Sequence, residues 1–460
     1  MFKKAKVLAL AASVVACAGA AHAGTIELNL YGASAESTLW NSLGQSFLKA
    51  AYGCLDSEIT GSTANSASGG IHQCVHNGNT YILRYMPKNS VDGILSVQGQ
   101  VDSQGGVSDV CSDATKRMMF GTTASTSADT CVKVDVGASD VSGDAFIQHT
   151  KGCKLGPNSQ FPTQTTCADM TDRSYAGVST SGLTAYNPVI VPFGFYANKA
   201  VQVGKCVGGD NAGALCSADA DCQLTSATGT CTYAPIDNLT REQAVLLFSG
   251  QVVNWSDLGA AFKVVDDSGT KLASQAVRVC HRHAGSGTLA TLDLGVLNNG
   301  AWGGALPTIA KPNFYFNDGS GDMMKCVDGW TATNGKATAP AGAVGYADAD
   351  ALVGVTAYPH TVALTYQGVA PLRNNIRNGW YDFFAQQYLY ESAATASDAD
   401  KHAMMVALNN FAANPAKLTT TTSLGKKALY WTTVGEAKFR KSLDSAYPAK
   451  TTDTVTPVLP

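Results

Sequence analysis

From Thr25 to Leu30 the chain alternates polar and apolar residues, the two-residue period of a strand with one buried face. Gly32-Ala33-Ser34-Ala35 follows as a small-residue turn. Beyond it Leu39, Trp40, Leu43 and Phe47 recur on one face of a helix. The unit is a strand, a tight turn and a helix start. It returns later: Val277–Cys280 reads as strand, Ala284–Gly287 as turn and Thr288–Leu297 as helix. Between the two units, Thr240-Arg241-Glu242-Gln243 is a capping box that opens an amphipathic helix, and Gly250 is placed to end it. Asn187 to Ala197 is a nearly unbroken apolar run, predicted as a buried strand. Strands alternating with helices predict an α/β architecture.

Three stretches interrupt the alternation and read as loops or insertions: residues 80–134, 150–185 and 203–233. They are rich in Ser, Thr, Gly and Asp and carry most of the early cysteines. The tail Thr451–Pro460 reads as loose. The sequence has 13 cysteines. Without Cys17 they form an even set: Cys54, Cys74, Cys111, Cys131, Cys153, Cys167, Cys206, Cys216, Cys222, Cys231, Cys280 and Cys326. That usage fits an oxidising compartment and disulfides that brace long loops. Order alone does not fix the pairing; neighbour pairing is one arrangement, and Cys206 to Cys231 reads as a local staple.

The first residues look like an export leader. Lys3, Lys4 and Lys6 precede an apolar stretch from Val7 to Ala21, and Ala21-His22-Ala23 is a small-x-small cleavage site. Cleavage after Ala23 leaves a chain that does not span a membrane, the apolar run being short and without a second. A lipoprotein box ending at Cys17 is the weaker alternative. The net charge of −3 falls to −6 once those three lysines are lost, so nothing electrostatic supports a nucleic-acid partner.

The most informative chemistry lies at Arg282-His283-Ala284-Gly285-Ser286-Gly287-Thr288. A guanidinium, a small-residue turn and hydroxyls at a helix start are what an oxyanion needs. The helix offers free N–H donors and partial positive charge, and small residues allow close approach. Cys280-His281-Arg282-His283 places two histidines on one strand face, but no third metal ligand is evident. The four cysteines from Cys206 to Cys231 lack zinc-ribbon spacing. Trp255 and Trp380 read as core or hinge packing. No hydrolase nucleophile elbow or phosphate-binding Walker loop is present.

Five separated blocks resemble, in order, the phosphate-binding proteins of ABC phosphate transporters. They are Val134–Asp140, Leu239–Gly259, Arg282–Thr288, Gly342–Tyr346 and Gly368–Tyr381. The resemblance implies a two-lobed periplasmic-binding-protein fold with hinge crossovers, here with disulfide-bearing insertions. Lobe I would comprise residues 24–192 and 366–460, and lobe II residues 193–365. Arg282, Ser286, Gly287 and Thr288 would bind the anion from lobe II. Asp140 would accept a proton-bearing oxygen from lobe I, and Glu36, Ser37 and Ser68 would complete the site.

The chain departs from the family pattern in three places. Glu36-Ser37 stands where Thr-Phe is usual, Ala67 where a serine is usual, and Ala284 where an acid usually accompanies the arginine. A carboxylate about 4 Å from a unit anionic charge costs roughly 4 kcal/mol at an effective dielectric near 20. Either Glu36 turns away and Ser37 or Thr38 supplies the hydroxyl, or the ligand brings more donors than phosphate does. The expected function is capture of phosphate or a related small oxyanion for ABC transporter membrane subunits, without catalysis, cofactor or metal. The alternative is a secreted or surface interaction protein on the same fold. Phosphomonoester hydrolysis lacks an assembled nucleophile and base.

Overall fold

The computed structural model describes residues 24–61, 69–101, 111–121, 128–146, 175, 177–225, 228–307, 313–329, 341–351, 353–354, 357–442, 444 and 449–450. Residues 1–23 and 451–460, read above as leader and tail, together with Ser68, Cys153, Cys167 and most of 150–185, lie outside them.

The first half begins with β1 (Thr25–Ala33) and α1 (Ser37–Tyr52). Leu39, Trp40, Leu43 and Phe47 are all buried, as their spacing predicts. The helix stops where Gly53 takes the left-handed conformation (φ 74°) and donates to the Lys49 carbonyl at 3.1 Å. Then come β2 (Ile59–Thr60), β3 (Gly70–His76), β4 (Asn79–Lys88) and α2 (Ser90–Val97). A ribbon of β5 (Lys116–Phe120) and β6 (Ala128–Lys133) precedes β7 (Val136–Ser139) and β8 (Thr184–Tyr186).

The second half contains β9 (Val189–Asn198), β10 (Val201–Val207), β11 (Thr230–Pro235), β12 (Asn238–Leu239) and α3 (Arg241–Phe248). It continues with β13 (Phe262–Val264), β14 (Arg278–Arg282) and α4 (Gly287–Thr291). Next are β15 (Phe314–Asn317), α5 (Ser320–Asp328), β16 (Ala343–Asp348) and β17 (Thr361–Tyr366). The chain then returns through β18 (Phe384–Gln386) and β19 (Tyr388–Glu391) to α6 (Ala399–Ala412). The capping box at Thr240 forms, with Gln243 N donating to Thr240 Oγ1 at 3.2 Å and Thr240 N to Gln243 Oε1 at 3.0 Å.

Two sheets organise the molecule, which is an α/β, two-lobed fold. The first runs β2-β3-β4-β1-β7-β19-β8, with β1 parallel to both β4 and β7. The second runs β12-β17-β9-β16-β14-β15, with β14 parallel to β15 and β16. All ten residues of β9 are buried, as the apolar run predicts. The chain passes between the sheets at Asn187-Pro188, from β8 into β9, and at Gln387, from β18, which pairs with β9, into β19; Thr432–Thr433 later pairs with β9 again. The crossovers are tied together, Gln387 N donating to the Val189 carbonyl at 3.1 Å and Asn187 Nδ2 to the Gln387 carbonyl at 2.5 Å.

The stretches read as loops are corrected here. Residues 80–134 do not begin as a loop, because β4 lies between β1 and β3 and α2 packs against β1 and β7. Both faces of β4 are covered at Ile82, Leu83, Arg84 and Tyr85, so it lacks the alternation that marks a one-sided strand. Its buried Arg84 is held by Glu27 at 2.6 Å and by Asn29 at 2.8 Å. Residues 203–233 likewise form a hairpin of β10 and β11 rather than a bare loop. Trp255 is buried and donates to the Gly342 carbonyl at 2.9 Å, whereas Trp380, expected in packing, is 40% exposed.

Five disulfides join described cysteines: Cys54–Cys74, Cys111–Cys131, Cys206–Cys222, Cys216–Cys231 and Cys280–Cys326. Three join sequence neighbours. The staple between Cys206 and Cys231 is instead interlaced, because the antiparallel register sets Cys206 opposite Cys231 on the hairpin while each bonds to a cysteine in the connecting segment.

Candidate functional site

The side chains of interest lie just past the carboxyl ends of parallel strands in both sheets. In open α/β sheets this is where loops and helix starts leave room for a ligand. Ser34 and Glu36 follow β1, Ser90 follows β4 and Asp140 follows β7. From the other sheet, Arg282 ends β14, Asp318 and Ser320 follow β15, and Asp348 ends β16.

Arg282 is 1% exposed and fully engaged. Its Nε and Nη2 donate to the Asp318 carbonyl at 3.0 and 2.7 Å, which holds the guanidinium plane. Nη1 lies 3.5 Å from Thr288 Oγ1 and 3.3 Å from Ser320 Oγ, and Nη2 lies 3.2 Å from Ser34 Oγ across the cleft. The disulfide Cys280–Cys326 fastens β14 to α5, so the arginine and the helix start carrying Ser320 share one frame.

Asp140 faces the same point from the first sheet. Its Oδ2 accepts from Ser90 Oγ at 3.2 Å and from Thr288 Oγ1 at 3.4 Å, while Oδ1 has no partner among the described residues. Thr288 therefore links Asp140 to Arg282. Ser90 Oγ also accepts from Gly287 N at 3.1 Å, so the two halves meet directly. Burial pushes the Asp140 carboxyl up to about 6, with Arg282, Ser90 and Thr288 restraining the rise.

The remaining sequence candidates divide. Gly287 and Thr288 lie at the meeting point. Ser286 caps α4, its Oγ accepting from Leu289 N at 3.3 Å, and is 1% exposed. Ser37 is buried at the first position of α1, and Ser68 is outside the described residues. Thr38 points away, receiving Lys427 Nζ at 3.2 Å. Glu36 is fully buried and turned toward the crossover: its Oε2 accepts from Trp40 Nε1 at 3.0 Å and from Gln387 Nε2, and Oε1 has no partner among the described residues. Burial, then the nearby Asp140, raise its carboxyl well above the usual range, against the two hydrogen bonds.

His281 is held by the Tyr346 hydroxyl at 3.0 Å and the Phe248 carbonyl at 3.3 Å, and His283 by the Ala284 carbonyl and Asp318. Among the described residues, the one cluster of metal-ligating types is Cys206, Cys216 and Cys222, whose sulfurs are in disulfides.

Residues 219–413 match the family model described as the PBP superfamily domain. The matched segment contains Arg282, Ser320 and Asp348, whereas Ser34, Ser90 and Asp140 precede it. No curated protein matches the chain. Among solved structures, it is similar to a protein from Clostridium perfringens assigned as a phosphate ABC transporter substrate-binding protein and solved with bound phosphate. That likeness has 12% identity, 83% of this chain and 92% of the other covered, and a TM-score of 0.42. It is also similar to an ABC-type phosphate transport receptor from Vibrio cholerae, with 13% identity, 83% and 93% covered, and a TM-score of 0.37.

Reasoning from sequence missed Ser34, Ser90, Ser320 and Asp348. Ser90 was hidden inside the stretch read as loop. Asp348 stands two residues beyond the Gly342–Tyr346 block, where its position at a strand end was the available signal.

Proposed function

We propose that the protein captures phosphate or a related small oxyanion between its two sheets and presents it to an ABC transporter. It would act outside the cytoplasm after loss of a leader cleaved at Ala23. The observation that carries this reading is the bridge Arg282–Thr288–Asp140, in which a guanidinium from one sheet and a carboxylate from the other converge on hydroxyls and a helix start. A guanidinium and backbone N–H groups suit a negative ligand. The carboxylate suits one that still carries a proton, which separates phosphate from sulfate. The crossovers between the sheets allow the halves to open and close on the ligand. The role is binding, with no reaction performed.

Calorimetry of phosphate with wild type and Arg282→Ala tests this. Micromolar or tighter binding in the wild type and its loss in the variant are expected. Unchanged phosphate affinity in the variant contradicts the site.

A second reading, an exported interaction protein, is favoured by the disulfide-braced hairpin, which exposes Val207 at 58%, Leu215 at 53% and Leu224 at 71%. Deleting residues 203–233 separates the two: anion binding survives on the first reading, and partner binding is lost on the second.

A further inference from the structure

The cleft holds more carboxylate than a doubly charged anion tolerates. Arg282 is flanked on one side by Asp140, through Thr288, and on the other by Asp348, whose Oδ1 accepts from Ser320 Oγ at 2.6 Å while that oxygen lies 3.3 Å from Arg282 Nη1. Glu36 is the third acid. Asp140 Oδ1 and Glu36 Oε1, on side chains 2% and 0% exposed, are buried acceptors without partners among the described residues. A buried acceptor left without a donor is costly, so these oxygens call for protons.

The neighbouring charges do not remove the surplus. Asp350, behind Asp348, accepts from Trp431 Nε1 at 2.9 Å and feels Lys427. On the flank His283 pairs with Asp318 at 3.3 Å, and Lys88 acts on Asp318. The hydroxyls of Tyr85 and Tyr196 are committed to the carbonyls of Ala33 and Asp348, and both phenols stay neutral in this buried setting. Arg282 hydrogen-bonds within the cluster to Thr288, Ser320 and Ser34.

Resting on the oxyanion reading, we propose that the site takes the doubly protonated, singly charged oxyanion, with Asp140 and Asp348 each accepting one of its protons. A hydrogen phosphate dianion carries one proton and answers one acceptor. The dihydrogen form answers both and halves the charge facing the acids. Where each proton rests, on ligand or on carboxyl, does not change the count bound in the complex. Glu36, turned to the crossover, keeps its own proton and adds no charge. Burial, and then Asp350, push the Asp348 carboxyl up to about 7, in accord with an acid that shares a proton with its ligand near neutrality.

The test is phosphate calorimetry on the full protein near pH 8.5, in two buffers of different ionisation enthalpy, with the affinity followed up to that pH. Uptake of about one proton per phosphate is expected, with affinity weakening about tenfold per pH unit above the second ionisation of phosphate. In Asp348→Asn the uptake falls toward zero and the pH dependence flattens. Phosphate binding without proton uptake, or affinity that holds or grows with pH in the wild type, overturns the proposal while leaving oxyanion capture intact. Absence of phosphate binding at every pH overturns oxyanion capture, and this proposal with it.

Discussion

Gly287 shows how closely the two halves approach. A Cβ there would lie 2.5 Å from Ser90 Oγ and 2.7 Å from Asp140 Cβ. The hydroxyl can rotate, but the Asp140 Cβ is fixed to its backbone, so a methyl group must hold the lobes apart. Gly287→Ala is expected to weaken phosphate at least tenfold, about 1.4 kcal/mol, with little change in melting temperature, because alanine suits a helix start. Calorimetry and a thermal melt check both, and an unchanged Kd contradicts the contact. At this scale Arg282 and Asp140 were legible because each sits in a block of distinctive order. The orientation of Glu36 was not, since Gln387, its partner, lies 351 positions away in sequence.

Among the elements, β14 and α5 form the rigid half of the site. Cys280 and Arg282 point to the same face of β14, and α5 is fastened to that face through Cys326. Closing the 46-residue separation lowers the entropy of the unfolded chain. Replacing both cysteines by serine is expected to cost about 3–4 kcal/mol in a denaturant melt. It should also weaken phosphate binding, because Ser320 loses its fixed distance from Arg282. A loss below about 1 kcal/mol contradicts a structural role for this bridge. The strand–turn–helix units at β1 and β14 were readable from period and turn residues. The unit at β4 and α2 was not: a strand buried on both faces loses its alternation, and an eight-residue helix spans too few turns to show a period.

For the whole molecule, the surplus carboxylates tie stability to pH. Asp348 holds its proton more tightly in the folded chain, at about 7, than at its ordinary value of 3.8. That advantage is present at low pH and is lost as the pH rises through the folded value. Stability should therefore fall by about 1 kcal/mol between about pH 6 and pH 8, and Asp348→Asn should remove that part of the fall. Urea melts of both proteins at the two pH values read the difference; parallel curves contradict the assignment. The α/β class and the two-lobed plan followed from the alternation of elements and the order of the five blocks. The sheet order and the crossing of the disulfides did not, since both depend on pairings between residues far apart in the chain.

The most direct measurement is a crystal structure grown with arsenate, a phosphate mimic whose arsenic can be located by anomalous scattering. An arsenic peak between the two sheets is expected, its oxygens within hydrogen-bond distance of Arg282, Asp140 and Gly287 N. Arsenate bound elsewhere on the protein, with the space between Arg282 and Asp140 free of it, would contradict the assignment of the cleft.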